Sequence, residues 1–146
     1  MQNCTIRPIE LRDTEAVAQL NGELGYPTTV EELGARLESL KMLAGSQAVF
    51  VACVGTEVVG WIDVGVPFHL QSEPHGLIGG LVVKDGARGN GIGRQLCDRA
   101  EDWVKNQGVR VMRVTSRSTR EGAHRFYLRY GYTDVKLSRV FEKVLP

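Results

Sequence analysis

Between Leu81 and Leu96 the chain reads LVVKDGARGNGIGRQL, an apolar β-branched run, a turn with four glycines and the start of a helix in immediate succession. This order of strand, glycine turn and helix fits a mixed α/β layer structure. It also builds an anion site. The first N–H groups of a helix have no intrahelical partners, and the helix dipole adds about half a positive charge there, so a phosphate gains both hydrogen bonds and attraction. Arg88 and Arg94 flank the turn, where they could add charge-assisted contacts.

Two phosphate-binding patterns fail on this segment. A P-loop needs Lys and a hydroxyl residue after its last glycine, and Gly93 is followed by Arg94 and Gln95. The dinucleotide fingerprint GxGxxG, counted from Gly89 and Gly91, meets Arg94 where its third glycine should stand.

The 146 residues suffice for one domain, 1–146, with a sizeable core. Lysines and arginines number 18 against 17 acids, a net charge of +1, which speaks against a nucleic-acid partner held by phosphate neutralisation. Six arginines between Arg110 and Arg129 form one local basic concentration, read as mostly solvated surface. Cys4, Cys53 and Cys97 are odd in number and far apart, so they read as reduced thiols of a cytoplasmic protein rather than a disulfide framework. The start, MQNCTIRPIE, lacks a signal-peptide pattern, and no apolar run approaches the roughly 18 residues of a membrane span. No membrane partner is expected.

The periodicities predict a first strand over Thr5–Ile9, then a helix capped by Asp13 with Val17, Leu20 and Leu24 on one face. Thr29 and Glu32 have capping-box spacing, and the second helix runs to about Leu43. Ala48–Val54 and Val58–Val66 form a hairpin about Gly55-Thr56-Glu57, and a loop, Pro67–His75, precedes a strand over Gly76–Lys84. Gly79-Gly80 in that strand marks a bulge that opens a slot against the next strand. A helix follows the glycine turn and ends at Gly108, a strand covers Val109–Val114, and a short helix covers Glu121–Tyr130. Two last strands are expected over about Tyr132–Lys136 and Arg139–Val144.

Arg88–Gly93, RGNGIG, fits the [QR]xxGx[GA] pyrophosphate loop, and Ala123–Tyr132, AHRFYLRYGY, fits an AxxFYxxxG[FY] segment about 30 residues later. Together they resemble the Gcn5-related N-acetyltransferase (GNAT) superfamily over nearly the whole chain. The likeness is greatest to small-molecule amine acetyltransferases, including aminoalkylphosphonate and aminoglycoside types. It implies an α/β fold with a central mixed, mostly antiparallel sheet of six to seven strands flanked by about four helices.

The resemblance also implies acetyl-CoA as cosubstrate. Its pantetheine arm would pair with the backbone of Leu81, Val82 and Val83, and its pyrophosphate would rest on Arg88, Gly89, Asn90, Gly91, Ile92 and Gly93, with Arg94 beside them. An extended amide-rich arm needs only the main chain of an open strand edge. Arg120 stands where many relatives have an Asn beside that arm. Family habit would allow a homodimer, though no exposed stripe in the sequence argues one.

Acetyl transfer to an amine poses two proton problems. An alkylammonium with a pKa of about 10 must lose a proton, and the departing thiolate must gain one. By motif, Tyr127 is the general acid, and a phenol can serve at a cost of roughly 2 kcal/mol that positioning must offset. The base is less defined. Many relatives carry a Glu on the strand before the loop, yet no carboxylate lies between Gly76 and Val83. Glu73 or His75, reached through water, and direct attack by an amine already neutral in solution, are the remaining routes. The main-chain N–H of Leu81 or Val82 is the expected oxyanion donor. Trp61, Asp63, Phe68 and the Tyr26-Pro27 loop are candidates to line the acceptor pocket. No cysteine has an adjacent His or helix start to activate it for an acyl-enzyme route, and no metal-ligand spacing is present.

The expected activity is therefore acetyl-CoA-dependent N-acetylation of a primary amine on a small molecule by direct attack in a ternary complex. The rivals are a non-catalytic acyl-CoA-binding regulatory module and an acetyltransferase of peptide or protein amines.

Overall fold

A computed structural model describes residues 3–146. By internal contacts the chain divides into two compact units, residues 1–115 and 116–146.

The first unit holds a five-stranded sheet in sequential order: β1 (Cys4–Pro8), β2 (Gln47–Val54), β3 (Glu57–Gly65), β4 (Gly76–Val83) and β5 (Met112–Val114). The first four run antiparallel to their neighbours, and β5 is parallel to β4. Three helices accompany it: α1 (Thr14–Glu23), α2 (Val30–Met42) and α3 (Ile92–Asn106). The second unit contains α4 (Glu121–Arg129). The mixed, mostly antiparallel sheet and four helices agree with the expected fold class.

The alternation of β3 assigns its two faces. A Cβ added at Gly60 would lie 3.3 Å from Leu96 of α3, so Gly60, Ile62 and Val64 face that helix. Ile62, Val64, Ile78, Leu96, Cys97 and Ala100 are almost wholly buried and form the core of this layer. Trp61 and Asp63 point the other way, toward α1, whose Val17 packs with Val51, Cys53 and Val58.

Three expectations change. Asp13 stands at the N-cap position of α1 without a side-chain cap bond. Its carboxylate instead takes two 2.8 Å hydrogen bonds from the guanidinium of Arg7 and one from the amide of Glu10. An ion pair with a half-buried arginine outcompetes a neutral cap. Thr29, by contrast, caps α2 as expected, accepting from the Glu32 amide at 3.0 Å. The fifth strand covers only Met112–Val114 of the expected Val109–Val114. No strand is assigned over 132–146, so the described residues hold five strands rather than six or seven. Alternating β-branched residues favour an extended chain, but a strand also requires a ladder partner, which that pattern cannot supply.

Among the described residues no helix is long and apolar enough to cross a membrane.

Candidate active site

β4 is the element on which the site is built. Its parallel pairing with β5 covers Gly76 to Ile78 and stops. From Gly79 to Val83 no strand among the described residues pairs with that side, which leaves a main-chain edge able to receive an extended amide-bearing arm. Leu81, Val82 and Val83 lie on this edge, all half-buried.

On its other side β4 meets β3 through a bulge. Asp63 pairs with Gly80 and Val64 with Ile78, so Gly79 is the extra residue. The bulge turns two successive positions the same way. A Cβ at Gly79 would collide with the carboxylate of Asp63, and one at Gly80 would lie 2.9 Å from the Trp61 ring. A bulge is therefore present at the expected glycines, but it lies in the pairing with β3 and not against the next strand, and both glycines leave room for the Asp63 and Trp61 side chains.

Beyond Val83 the chain makes a one-turn 3-10 helix, Asp85–Ala87, and enters the glycine turn. Gly89 and Gly91 have φ of +86° and +76°, a region costly for residues with a Cβ. Gly91 is the N-cap of α3, and no side chain caps that end. The leading amides of α3 thus lack the side-chain oxygen that would compete with a bound anion. Asn90 Nδ2 donates to the Ala87 carbonyl at 3.2 Å and holds the turn closed. Arg88, exposed beside the turn, braces it, with Nε donating to the Val83 carbonyl at 3.2 Å and an ion pair to Asp85 at 2.9 Å. A cleft of about 780 Å³ opens beside the turn, bordered by Val59, Lys84, Gly86, Asn90, Ile92 and Gln95. The free edge, the positive-φ glycines and the uncapped helix start fit a long thioester bearing a pyrophosphate.

Glu73 and His75 stand before the start of β4. Glu73 is exposed, whereas His75 is buried, with Nδ1 3.3 Å from the Glu73 carbonyl and its ring stacked on His69 at 5.7 Å. At about 3.3 Å per residue, β4 carries His75 about 20 Å from Leu81. Phe68 is exposed in the preceding loop.

Asp63 is the residue whose importance the strand pattern understates. Its side chain is half-buried, and the amides of Gly79 and Gly80 donate to its carboxylate. Burial nevertheless holds its pKa above the ordinary aspartate value, with the two amide bonds opposing that shift.

In the second unit, Tyr127 lies on α4, half-buried, edge-on to Phe126 at 5.2 Å and to Tyr132 at 5.7 Å. Arg120 is the N-cap residue of α4 and is exposed. Cys97 is no nucleophile: it lies on the buried face of α3, and burial, aided by Glu101 and Asp98, pushes its thiol up to about 12.

The model of the acetyltransferase (GNAT) family matches residues 14–132. Aminoalkylphosphonate N-acetyltransferase of Salmonella typhimurium is 33% identical over 138 residues, covering 90% of this chain and 86% of the relative. Aminoglycoside N(6')-acetyltransferase type 1 of Stenotrophomonas maltophilia is 30% identical over 137 residues, covering 90% and 88%. Among solved structures, aminoglycoside N-acetyltransferase AAC(6')-Iy in complex with CoA superposes with a TM-score of 0.85 at 19% identity, covering 98% of this chain and 96% of that one.

Proposed function

The chain belongs to the GNAT acetyltransferase family and is an N-acetyltransferase that uses acetyl-CoA, and from that premise we propose that it acetylates a primary amine of a small molecule by direct attack in a ternary complex. The observation that carries this reading is the continuity of β4's unpaired edge, Gly79 to Val83, with the uncapped start of α3. Two relatives, one named for aminoalkylphosphonates and one for aminoglycosides, support a small-molecule acceptor. The family match crosses the boundary between the two units, which supports reading 1–146 as one acetyltransferase domain. The three free thiols suit a cytoplasmic enzyme.

When bound, acetyl-CoA would supply an acyl carbon that takes the amine nitrogen and then releases its sulfur. The backbone of Leu81, Val82 and Val83 binds the arm, and the amides of Leu81 or Val82 support the oxyanion. Gly89, Asn90, Gly91, Ile92 and Gly93 present main-chain groups to the pyrophosphate, with Arg94 beside them. Arg88 shapes the turn through Val83 and Asp85. Tyr127 gives a proton to the departing sulfur, and Arg120 contributes to cofactor binding. Glu73 and His75, which precede β4, act only at the outer end of a water relay.

Calorimetry with CoA and acetyl-CoA, followed by thiol-release assays on aminoalkylphosphonates, aminoglycosides, polyamines and peptide amines, tests the reading. CoA binding with turnover of a small amine is the expected result. Tight binding without thiol release on any acceptor would favour a non-catalytic acyl-CoA module, and turnover of peptides alone would replace the small-molecule acceptor.

A further inference from the structure

We propose that Asp63 is a catalytic residue: its carboxylate, seated in the notch at Gly79 and Gly80, binds the substrate ammonium and takes its proton before the amine attacks. This rests on the acetyltransferase reading above. It supplies the base that β4, without a carboxylate of its own from Gly76 to Val83, lacks.

The placement is specific. The β3–β4 register slips at Gly79 alone, and the missing Cβ there is the space that the Asp63 carboxylate fills. Gly79 itself is exposed in the middle of its strand, so the notch opens to solvent, and it begins the free edge two residues before Leu81. A carboxylate delivered from β3 therefore reaches the segment where the acyl group is read to lie.

The surroundings suit a base. Asp63 faces Val49 across β2, Gly79 and Gly80 on β4, and shares its face with Trp61, which contacts Asn21 of α1. The acids of α1, Glu15 and Glu23, are exposed, and among the described residues no charged side chain perturbs Asp63. Burial alone raises its basicity, while two glycine amides keep its orientation. An arriving ammonium would be its first opposite charge.

The step balances. The amine nitrogen bonds to the acyl carbon as the carbonyl π pair moves to oxygen, and the carbon–sulfur bond breaks as the carbonyl re-forms. One ammonium proton passes to Asp63 and through the open notch to water. The second proton lost by nitrogen replaces the one that Tyr127 gives to sulfur.

The test uses the full chain with CoA bound, following the Asp63 carboxyl carbon by 13C NMR across pH, with and without 2-aminoethylphosphonate, an aminoglycoside and a polyamine. A midpoint above the ordinary aspartate range that moves down on adding an amine is the expected result. No amine-induced movement for any of the three overturns the proposal. Asp63→Asn keeps an oxygen for a glycine amide. It should retain CoA affinity by calorimetry, lower kcat/KM roughly 100-fold or more, and lose the acid limb of the pH profile. Unchanged kcat/KM and pH profile in that variant would also overturn the proposal. An Asp63 midpoint that responds to amine in a protein releasing no thiol would count against the acetyltransferase reading and not against the ammonium site.

Discussion

The indole Nε1 of Trp61 donates to Oδ1 of Asn21 at 2.9 Å, joining β3 to α1 across forty positions of sequence. Asn21 is buried, so its oxygen has no water to fall back on. Trp61→Phe keeps much of the packing but orphans that acceptor, and an unsatisfied buried polar group costs about 1–3 kcal/mol. Urea denaturation should show a loss of that size. An unchanged midpoint would mean that the bond contributes nothing net.

The Arg7–Asp13 pair makes a pH-dependent contribution. The guanidinium holds the Asp13 carboxyl below the ordinary carboxylate range, against opposition from burial, with the Glu10 amide assisting. A carboxyl with a lowered folded pKa binds its proton less readily in the folded state than in the unfolded chain. Its stabilisation is therefore full above the unfolded value of about 3.9 and is lost as pH falls through the folded value. Arg7→Met leaves Asp13 buried without its partner, at a cost of about 3 kcal/mol at neutral pH. Wild type and variant should converge as pH drops below 4 in thermal melts. Parallel curves down to pH 2 would contradict this assignment.

What the amino-acid order alone displays is local chemistry. The hairpin, the Thr29 cap, the glycine turn and α3 depend on residues within a few positions of one another, and all four are legible from spacing. Asp13 misleads because its partner, Arg7, sits on a strand whose position a helix-capping pattern ignores. Asp63 is legible only as a polar residue on an alternating strand. Its pairing with the notch depends on a one-residue slip against β4, and a register is a property of two strands. The segment after Tyr132 alternates like a strand, yet nothing local states what it would pair with. Arg88 reads as a phosphate ligand by proximity to the turn, and its exposed head also meets the Val83 carbonyl and Asp85, partners that proximity alone does not show.

Gly91 tests the turn. It caps α3 with φ of +76°, and a Cβ there meets no neighbour within 4 Å, so Gly91→Ala changes backbone preference and little else. The left-handed region costs a residue with a Cβ about 1–2 kcal/mol. Calorimetry should show weaker CoA affinity, with a modest fall in Tm. Wild-type affinity with an intact Tm would remove the turn from the cofactor site.

Cys97 separates direct attack from an acyl-enzyme. With its thiol pushed up to about 12 by burial, it carries almost no thiolate near pH 8. An aromatic disulfide reagent should label it only on unfolding, and Cys97→Ala should keep its turnover while losing some stability. Loss of all turnover with CoA binding preserved would reinstate a covalent intermediate.

The other proton transfer is the role proposed above for Tyr127. Phe126 and Tyr132 hold its ring edge-on, at 5.2 and 5.7 Å, and the Tyr132 amide donates to the Tyr127 carbonyl at 2.9 Å, so the helix end and the ring are fixed together. Tyr127→Phe preserves that packing and removes only the hydroxyl. General acid catalysis contributes roughly 100- to 10,000-fold, so kcat should fall by at least the smaller factor. CoA affinity and Tm should hold. The deficit should also shrink with an acyl donor whose leaving thiol is more acidic, because a stable thiolate needs no proton in the transition state. A loss of equal size with every leaving group would identify the hydroxyl as a positioning contact and not the acid.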